Sequence, residues 1–304
     1  MTDGFVERRR HRIGASDVAA ALTGAFDQSP ASIITQKLGL LDQKPVTAAM
    51  QRGLELESRV IDAAASLLDL DVVGRQHEAH HPALSGFVAT LDALVVVAGV
   101  GFVPLEVKTT NGDYPLDYVE AQVHAQMACV GAVRGLSAVW NPNVGTLTVR
   151  EHLRDPAVAQ AVYRMARFLW NHLEAGTVPP PTFGADSSLM NRLHPQSTPG
   201  SVDLDAELVA ELRDADTGAR AAKERLELVQ ARVKEQLGDY DLGAVDGEPV
   251  VRWRTVTERR VDFGALQADH SDLLNEYRQT SSVRRFTLVS PTRTTTNRKK
   301  VTQP

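Results

Sequence analysis

The sequence predicts an α/β protein with a mixed central sheet flanked by helices and a C-terminal helical extension. Three observations support this fold class. Apolar residues recur at helical spacing early in the chain, two valine-rich segments with strand character follow within residues 87–110, and helical spacing then returns. Helical segments on either side of strand segments are typical of a sheet that helices cover.

The first two helices have boundary signals. Ser16 precedes the apolar segment DVAAAL and Gly24 follows it, so Ser16 is predicted as the N-cap and Gly24 as the helix stop. A second helix is predicted from about Thr47 to Leu70. Its apolar stripe consists of Met50, Leu54, Ile61, Ala64 and Leu68.

The middle of the chain supplies the predicted sheet. The segments FVATLDALVVV and GFVPLEVKTT are predicted as two strands joined by a tight turn at residues 99–101. A helix is predicted over residues 118–130, two strands around an Asn-Pro-Asn turn over 135–151, and another helix over 155–174.

A stretch rich in Pro, Gly and Ser, residues 176–201, predicts a domain boundary. We therefore expect a core over residues 1–185, a linker over 186–202, a helical and β extension over 203–290, and a disordered basic tail over 291–304. In the extension a weak heptad pattern favours a helical hairpin packed on the main body over a free coiled coil. A strand pair, PVVRWRTV with RRFTLV, is predicted around a short helix.

Composition limits the class of protein. The 304 residues are 43% hydrophobic and 23% charged, as in an ordinary globular protein, and the single cysteine excludes an intramolecular disulfide or a cysteine-based zinc site. The segment MTDGFVERRR lacks a signal-peptide core and no apolar run is long enough for a bilayer, so we expect a cytoplasmic protein without a membrane partner. The net charge of −5 still allows a local nucleic-acid groove. Two basic clusters consist of Arg8, Arg9, Arg10 and Arg12, and of Arg293, Arg298, Lys299 and Lys300.

Charged residues stand at positions where core residues are expected. Glu57 interrupts the apolar stripe of the second helix, and Asp92 lies within an almost wholly apolar strand. In the next strand Glu106 and Lys108 share one face because side chains alternate along a strand. Three carboxylates and one lysine are therefore predicted at or beside the interior.

The energetics of burial favour a bound cation at these residues. An unpaired buried ion costs several kcal/mol, whereas a whole domain is stable by only about 5–15 kcal/mol. One lysine cannot neutralise three carboxylates, but a divalent cation can. Oxygen ligands without Cys or clustered His favour Mg²⁺ or Mn²⁺ over zinc.

Each residue alone has a purely structural alternative. Glu57 could tilt to solvent, Asp92 could end a strand at a turn, and a Glu-x-Lys sequence occurs by chance. The hypothesis rests on the combination: a helix carboxylate, then an Asp in a strand, then Glu-x-Lys in the following strand.

The pattern Asp92…Glu106-Val107-Lys108 resembles the active site of the PD-(D/E)xK nuclease superfamily. The surrounding sequence is similar to its YqaJ-type viral recombinase branch, which includes the lambda-type phage exonuclease. The similar segments cover about residues 8–182 and are RRRHRIGASDVAAAL, GLELE, ATLDALV, PLEVKTT, YVEAQVHAQMACVGA and RFLWNHLEAGTVPPPT. Tyr118 lies four residues before Gln122, whereas family members often space this pair by three.

The resemblance implies a nuclease core and assigns roles to the charged residues. Asp92, Glu106, Lys108 and Gln122 would be catalytic, and up to two Mg²⁺ ions (Mn²⁺ substituting) would bind Glu57, Asp92, Glu106 and the Val107 carbonyl. Lys108 would orient the attacking water and offset charge on the phosphate. Gln122 would position Lys108 or that water, the alternative being an ordinary solvated helix residue.

The N-terminal segment suggests a second subsite. A serine at a helix start, approached by arginines, offers amides, a helix dipole and guanidinium groups to a phosphate. The resemblance implies that Arg9 and Ser16, with Arg12 as a weaker candidate, bind the 5′-terminal phosphate of DNA. The alternative is a simple cap beside a solvated basic segment.

The resemblance implies an enzyme that digests linear double-stranded DNA 5′→3′ and leaves 3′ single-stranded overhangs for phage recombination in the bacterial host. It also implies a ring-shaped homotrimer around DNA ends and a single-strand annealing protein as partner. Two other functions are open at this stage. One is a structure-specific or restriction-type endonuclease on the same core, and the other is a non-catalytic scaffold that binds DNA ends.

Overall fold

The computed structural model describes residues 9–41, 47–110, 112, 114–281 and 283–289. The chain divides between His194 and Pro195 into two compact units. Arg8 and the predicted disordered basic tail, residues 291–304, lie outside the described residues. Within the described parts of the chain, no helix combines the length and apolarity needed to cross a bilayer.

The first unit alternates helices and strands, as the sequence predicts. Its elements are β1 (Ile13–Gly14), α1 (Ala15–Thr23), a 3₁₀ turn (Ala25–Asp27), α2 (Pro30–Lys37), α3 (Ala48–Leu68), β2 (Asp71–His80), β3 (Phe87–Val97), β4 (Gly101–Thr109), α4 (Leu116–Val130), β5 (Arg134–Asn141), β6 (Thr146–Leu153), α5 (Pro156–Ala175) and α6 (Asp186–Leu193). The second unit contains α7 (Ala206–Leu237), β7 (Leu242–Val245), β8 (Glu248–Arg252), α8 (Phe263–Asp269) and α9 (Ser271–Glu276).

The sheet of the first unit is mixed and has six strands in the order β1-β3-β4-β5-β6, with β2 also paired to β3. The β1–β3 and β4–β5 pairs are parallel, whereas β2–β3, β3–β4 and β5–β6 are antiparallel. The turn between β3 and β4 contains Gly99 and Gly101, both at positive φ, which glycine adopts without steric cost. The predicted α/β class, a mixed sheet flanked by helices, is confirmed.

Two apolar clusters cover the sheet. The larger cluster joins α1, α4 and α5 to β3 and includes Val18, Phe87, Val123, Met127 and Leu169. The smaller cluster joins α3 to β3, β4 and β5 and includes Ile61, Val95, Val103, Leu105 and Ala138. Fully burying a side chain of this size contributes about 1.5–3 kcal/mol, so the two clusters hold the helices against the strands.

The apolar stripe predicted for α3 is right only in the second half of the helix. Ile61 and Ala64 are buried, whereas Met50 is 58% exposed and Leu54 is 49% exposed. Leu68 is exposed as well. The buried face begins at Val60 because the C-terminal half of α3 packs on the strands while its first turns extend past the smaller cluster.

The start of α1 differs from the prediction. Gly14 is the N-cap, and Ser16 lies inside the first turn. Gly14 is also the last residue of β1 and pairs with Val88, so the strand sets the point where the helix begins. Asp17 stabilises this start because its carboxylate accepts the Gly14 N–H at 2.7 Å. Gly24 ends the helix in the left-handed conformation, as predicted.

Residues 186–193 form helix α6 within the first unit and not the start of a linker. The Ser29 hydroxyl donates to the buried carboxylate of Asp186, which also accepts the backbone N–H groups of Thr182 at 2.9 Å and Phe183 at 3.1 Å. Leu189 is buried as well. These contacts join α6 to α2, whose N-cap is Ser29.

The second unit corrects two expectations. The heptad segment is one uninterrupted helix of 32 residues, α7, and not a hairpin. The strand PVVR pairs with LGAV, which precedes it, and residues 283–289 form no strand. A tight turn through Asp246 and Gly247, both at positive φ, makes this local hairpin cheaper to close than a long-range pair. Two short helices, α8 and α9, follow it in place of one.

Candidate active site

Eight of the nine predicted site residues line one cleft of about 510 Å³ in the first unit. They are Arg9, Arg12, Ser16, Glu57, Asp92, Glu106, Lys108 and Gln122. The ninth, Val107, has its side chain in the smaller apolar cluster. The cleft brings together the start of α1, the first half of α3, the middle of β3 and the end of β4.

The cleft opens where β3 and β4 separate. The two strands pair from Val97–Gly101 to Ala93–Leu105, and beyond that point β4 continues only beside β5. The Val107 N–H, which lies past the last pair, donates to Asp92 Oδ2 at 2.8 Å. The Asp92 side chain thus replaces a lost strand–strand hydrogen bond, and this holds its carboxylate at the cleft.

Glu106 is 1% exposed and all its carboxylate contacts come from nearby side chains. Gln122 Nε2 donates to Oε1 at 2.6 Å, and Gln126 Nε2 donates to Oε2. Lys108 forms an ion pair with Oε1. A buried carboxylate needs such donors because an unpaired one would destabilise the fold by several kcal/mol.

Gln126 is a site residue that the sequence reasoning missed. It lies four residues after Gln122 on α4, so both amides reach Glu106 from the same face of the helix. That spacing is visible in the segment QVHAQ and could have identified it. Gln122 itself is buried and contacts Glu106, so it is not a solvated residue and does not hold Lys108 directly.

The charge of Lys108 is strongly favoured. Burial by itself lowers the pKa of this amine, but the negative charge of Glu106, followed by Tyr114, Tyr118 and Asp92, outweighs burial and raises the pKa well above its ordinary value. Lys108 is therefore a fixed cation at neutral pH. It can attract a phosphate or stabilise developing negative charge, but it cannot serve as a general base.

The charged form of Asp92, in contrast, is disfavoured. Burial, and then the charge of Glu106, raise the pKa of Asp92 well above its ordinary value, with a smaller contribution from Glu57. Lys108 and the Val107 N–H lower the pKa but do not compensate. Around Asp92, the negative charge therefore exceeds what Lys108 neutralises.

Glu57 lies on α3 and lines the same cleft half-buried, not tilted out to solvent. It accepts a hydrogen bond from Gln76 Nε2 at 2.5 Å. Gln76 belongs to β2 and has a φ of 49°, a left-handed conformation that is rare for a residue with a Cβ. Gln76 is a further cleft residue that no sequence signal indicated.

The N-terminal wall of the cleft carries paired charges. Arg9 Nη2 donates to Ser16 Oγ at 3.3 Å, and Arg12 forms an ion pair with Glu78. Asp17 forms an ion pair with Lys37 at 2.7 Å. Burial opposes ionisation of Asp17, but Lys37 and then Arg9 lower the pKa below its usual value. Three cations thus lie beside the first turn of α1: Arg9 and Arg12 from the segment before β1, and Lys37 from α2.

The residue types fit a hard divalent cation. Glu57, Asp92 and Glu106 offer carboxylate oxygens, and no described residue that lines the cleft is His or Cys. The unpartnered Oε1 of buried Gln122 adds an oxygen donor at the same wall. Among the residues that the structure describes, no group of three or more His, Cys, Asp or Glu side chains is already arranged to hold a metal ion. The role of the Val107 carbonyl stays a prediction.

Comparisons with known proteins find solved structures and a family model to which this chain is similar. Among solved structures, an alkaline exonuclease from Laribacter hongkongensis is 25% identical, with 58% of this chain and 94% of that chain covered and a TM-score of 0.48. Its complex with dAMP is 26% identical over the same shares of both chains, with a TM-score of 0.46. A phage-related exonuclease from Haemophilus somnus 129PT is 11% identical, with 54% of this chain and 96% of that chain covered and a TM-score of 0.42.

A search of the curated proteins finds no match to the chain. A family model does match, over residues 4–133, and its description is the YqaJ-like viral recombinase domain. The matched residues contain the start of α1, Glu57, the two strands that carry Asp92 and Glu106, and the two glutamines of α4. Over residues 4–133 this chain is therefore similar to the YqaJ-like viral recombinase domain.

Proposed function

We propose that the protein is a Mg²⁺-dependent deoxyribonuclease that digests linear double-stranded DNA from its 5′ ends. The observation that carries the proposal is the meeting of Glu57, Asp92, Glu106 and Lys108 in one cleft with Arg9 and Ser16. A site that joins carboxylates, a fixed cation and a helix start contains what phosphodiester hydrolysis requires: places for a metal, a scissile phosphate and a terminal phosphate.

The basic wall supports binding of the DNA end. Gly14, Ala15 and Ser16 line the cleft at the start of α1, where the helix dipole and backbone N–H groups favour an anion. Arg9 approaches the same turn through its contact with Ser16. A terminal 5′-phosphate bound here would limit cutting to the end of a strand, which is the property of an exonuclease.

Glu57, Asp92 and Glu106 would hold Mg²⁺, with Mn²⁺ as a substitute and up to two ions per subunit. The bound metal would supply an activated water and stabilisation of the leaving oxygen. The residues of the chain do the rest. Gln122 and Gln126 fix the orientation of Glu106, and the Val107 N–H fixes Asp92. Lys108 remains charged and offsets negative charge that develops on the phosphate.

The wider role follows from the resemblance. Digestion would run 5′→3′ and leave 3′ single-stranded overhangs for phage recombination in the bacterial cytoplasm. A ring-shaped homotrimer would enclose the DNA, and a single-strand annealing protein would take up the overhang. These features belong to the proposal, and the cleft supports them only through its fit to a DNA end.

The decisive experiment digests linear duplexes that carry either a 5′-phosphate or a 5′-hydroxyl. We expect Mg²⁺-dependent loss of the 5′-phosphorylated strand, slower loss from hydroxyl ends, and no digestion by Lys108→Ala. Lys223→Ala, which removes an exposed lysine of α7, is the matched control and should retain full activity. An Arg9→Ala variant should lose the preference for phosphorylated ends.

Covalently closed circles distinguish the alternatives. An exonuclease leaves them intact, so nicking of a closed circle would favour an endonuclease on the same core. If Mg²⁺ causes no digestion of any substrate and no rise in melting temperature that Asp92→Ala abolishes, a DNA-end-binding scaffold replaces the proposal.

A further inference from the structure

The turn between α1 and α2 holds an aromatic residue in an unfavourable backbone conformation. Phe26 has φ 58° and ψ 29°, and the next residue, Asp27, has a φ of 56°. Two successive left-handed residues without a glycine are uncommon, and a bulky aromatic there is a genuine outlier. Such strain persists where the surrounding structure imposes it, and it is concentrated at sites with a function.

The conformation does not bury the Phe26 ring. The residue is 54% exposed even though it contacts two tyrosines edge-on. Its ring centroid lies 5.1 Å from that of Tyr118 and 6.0 Å from that of Tyr114. The two tyrosine rings are 6.3 Å apart, so the three rings form one cluster, which we call the aromatic platform.

The aromatic platform adjoins the cation of the candidate active site. Lys108 Nζ lies 5.9 Å from the centroid of the Tyr118 ring, and Lys108 lines the cleft. The charge of Lys108 also acts on the hydroxyl of Tyr114. A phosphate attracted to Lys108 would therefore lie beside the aromatic platform, whose exposed ring is Phe26. Within a nucleic acid each phosphate is one sugar away from a base.

We infer that the aromatic platform Phe26–Tyr114–Tyr118 is a base-binding subsite that stacks one nucleobase of the strand whose phosphate lies at Lys108. This inference rests on the proposed function. It adds a contact to the base, whereas the residues that line the cleft are proposed to bind phosphate and metal. Stacking on an aromatic ring tolerates every base, so the subsite reads no sequence. It holds that nucleotide out of the duplex stack and beside the cleft.

The test is a double-mutant cycle in which the Phe26 ring and the base are removed separately and together, and DNA binding is measured each time. Binding of 5′-phosphorylated duplexes is measured by fluorescence anisotropy in EDTA, with a base-free sugar at the first, second or third nucleotide of that strand. We expect wild type to bind about 5- to 150-fold more weakly when one of these bases is missing, the range for loss of one stack. Phe26→Ala should lose the same factor on the intact duplex and nothing further on that base-free duplex.

Three variants separate stacking from packing. Phe26→Trp should restore the dependence on the base, whereas Phe26→Leu should not, because leucine covers the tyrosines without offering a ring. Phe102 is exposed to a similar degree, 60%, and lies at the end of β4 away from Lys108. Phe102→Ala should therefore behave as wild type. Melting temperatures of all variants show whether each is folded.

The result that overturns the inference is an additive cycle, in which Phe26→Ala weakens intact and base-free duplexes by the same factor or by none. Full rescue by Phe26→Leu would overturn it as well. Failure of the proposed function is a different result. It is the absence of Mg²⁺-dependent digestion of the same duplex by wild type, which the cycle in EDTA does not measure.

Discussion

At the scale of single residues, Asp92 stabilises the fold through a hydrogen bond and destabilises it through its charge. Its carboxylate supplies the hydrogen bond that Val107 needs where β3 and β4 separate. Its carboxylate, however, is half-buried and lies beside Glu106. Burial, and then the charge of Glu106, raise the pKa of Asp92. Like charges placed together in this way lower the stability of the folded protein, and such a loss is common where activity requires the arrangement.

We predict that Asp92→Asn stabilises the metal-free protein at neutral pH. The pKa of Asp92 is raised above its ordinary value of 3.8, so its stabilising contribution is present below that value and is lost as pH rises through the folded pKa. Asparagine keeps an oxygen for the Val107 N–H and carries no charge. The melting temperature should rise by about 2–4 °C for each kcal/mol recovered.

The measurement is thermal unfolding of both proteins in EDTA across the acid-to-neutral range. The gain should disappear at acid pH, where wild-type Asp92 is also protonated. Asp71→Asn, at the exposed start of β2, is the control and should show no such difference. A lower melting temperature for Asp92→Asn at neutral pH would contradict the account of its pKa.

Gln126 gives a second prediction at the residue scale. Gln126→Leu keeps the side-chain volume but removes the donor to Glu106 Oε2, so the carboxylate can rotate away from its position. We expect kcat for DNA digestion to fall about 10- to 100-fold with little change in KM, as for other residues that orient a ligand. Gln51→Leu, on the exposed part of α3, should leave kcat unchanged. A rise in KM alone would place Gln126 in DNA binding instead.

At the scale of elements, the site depends on how closely α4 approaches the sheet. Gly135 at the start of β5 lies under α4, and a Cβ there would clash with Val123 and come within 2.9 Å of Met127 Sδ. Both side chains are buried in the larger apolar cluster and cannot give way easily. The absence of a side chain at this position thus lets α4 carry Gln122 and Gln126 to Glu106.

Gly135→Ala should therefore lower stability by about 1–3 kcal/mol, the usual cost of overpacking a core. DNA digestion should fall with it because the shifted helix moves both amides away from Glu106. Chemical denaturation and the initial rate of digestion measure the two effects. Gly184→Ala, where a Cβ meets nothing within 4 Å, is the control. Equal stability of Gly135→Ala and wild type would show that α4 can move without loss.

At the scale of the whole molecule, the first unit carries both apolar clusters and the complete cleft. We predict that a chain ending at His194 folds and digests DNA, whereas one ending at Ala185 melts at a lower temperature. The shorter chain loses the Asp186 contacts and the burial of Leu189, which alone contributes about 1.5–3 kcal/mol. Calorimetry of both chains tests this, and equal melting temperatures would mean that α6 is dispensable.

The residue pattern was sufficient to single out the charged residues of the candidate site, because charge is conspicuous within apolar segments. Asp92, Glu106 and Lys108 stand out in apolar strands, and alternation along β4 correctly predicts that Glu106 and Lys108 face away from Leu105. Gln76 was missed because an amide in a polar segment looks the same whether it contacts solvent or a carboxylate. Gln126 had a usable signal, its spacing of four residues from Gln122.

Local sequence patterns were enough for most helices and strands between residues 47 and 175, for the turn glycines and for the residue types of the cleft, since these depend on periodicity and conformational preference. They did not predict β1, α2 or β2. The fold was needed to locate the point where β3 and β4 separate, the Gly14 cap of α1, the place of α6 in the first unit and the unbroken length of α7. These features depend on contacts between segments far apart in the chain. Their free energy arises from packing and hydrogen bonds that local sequence does not encode.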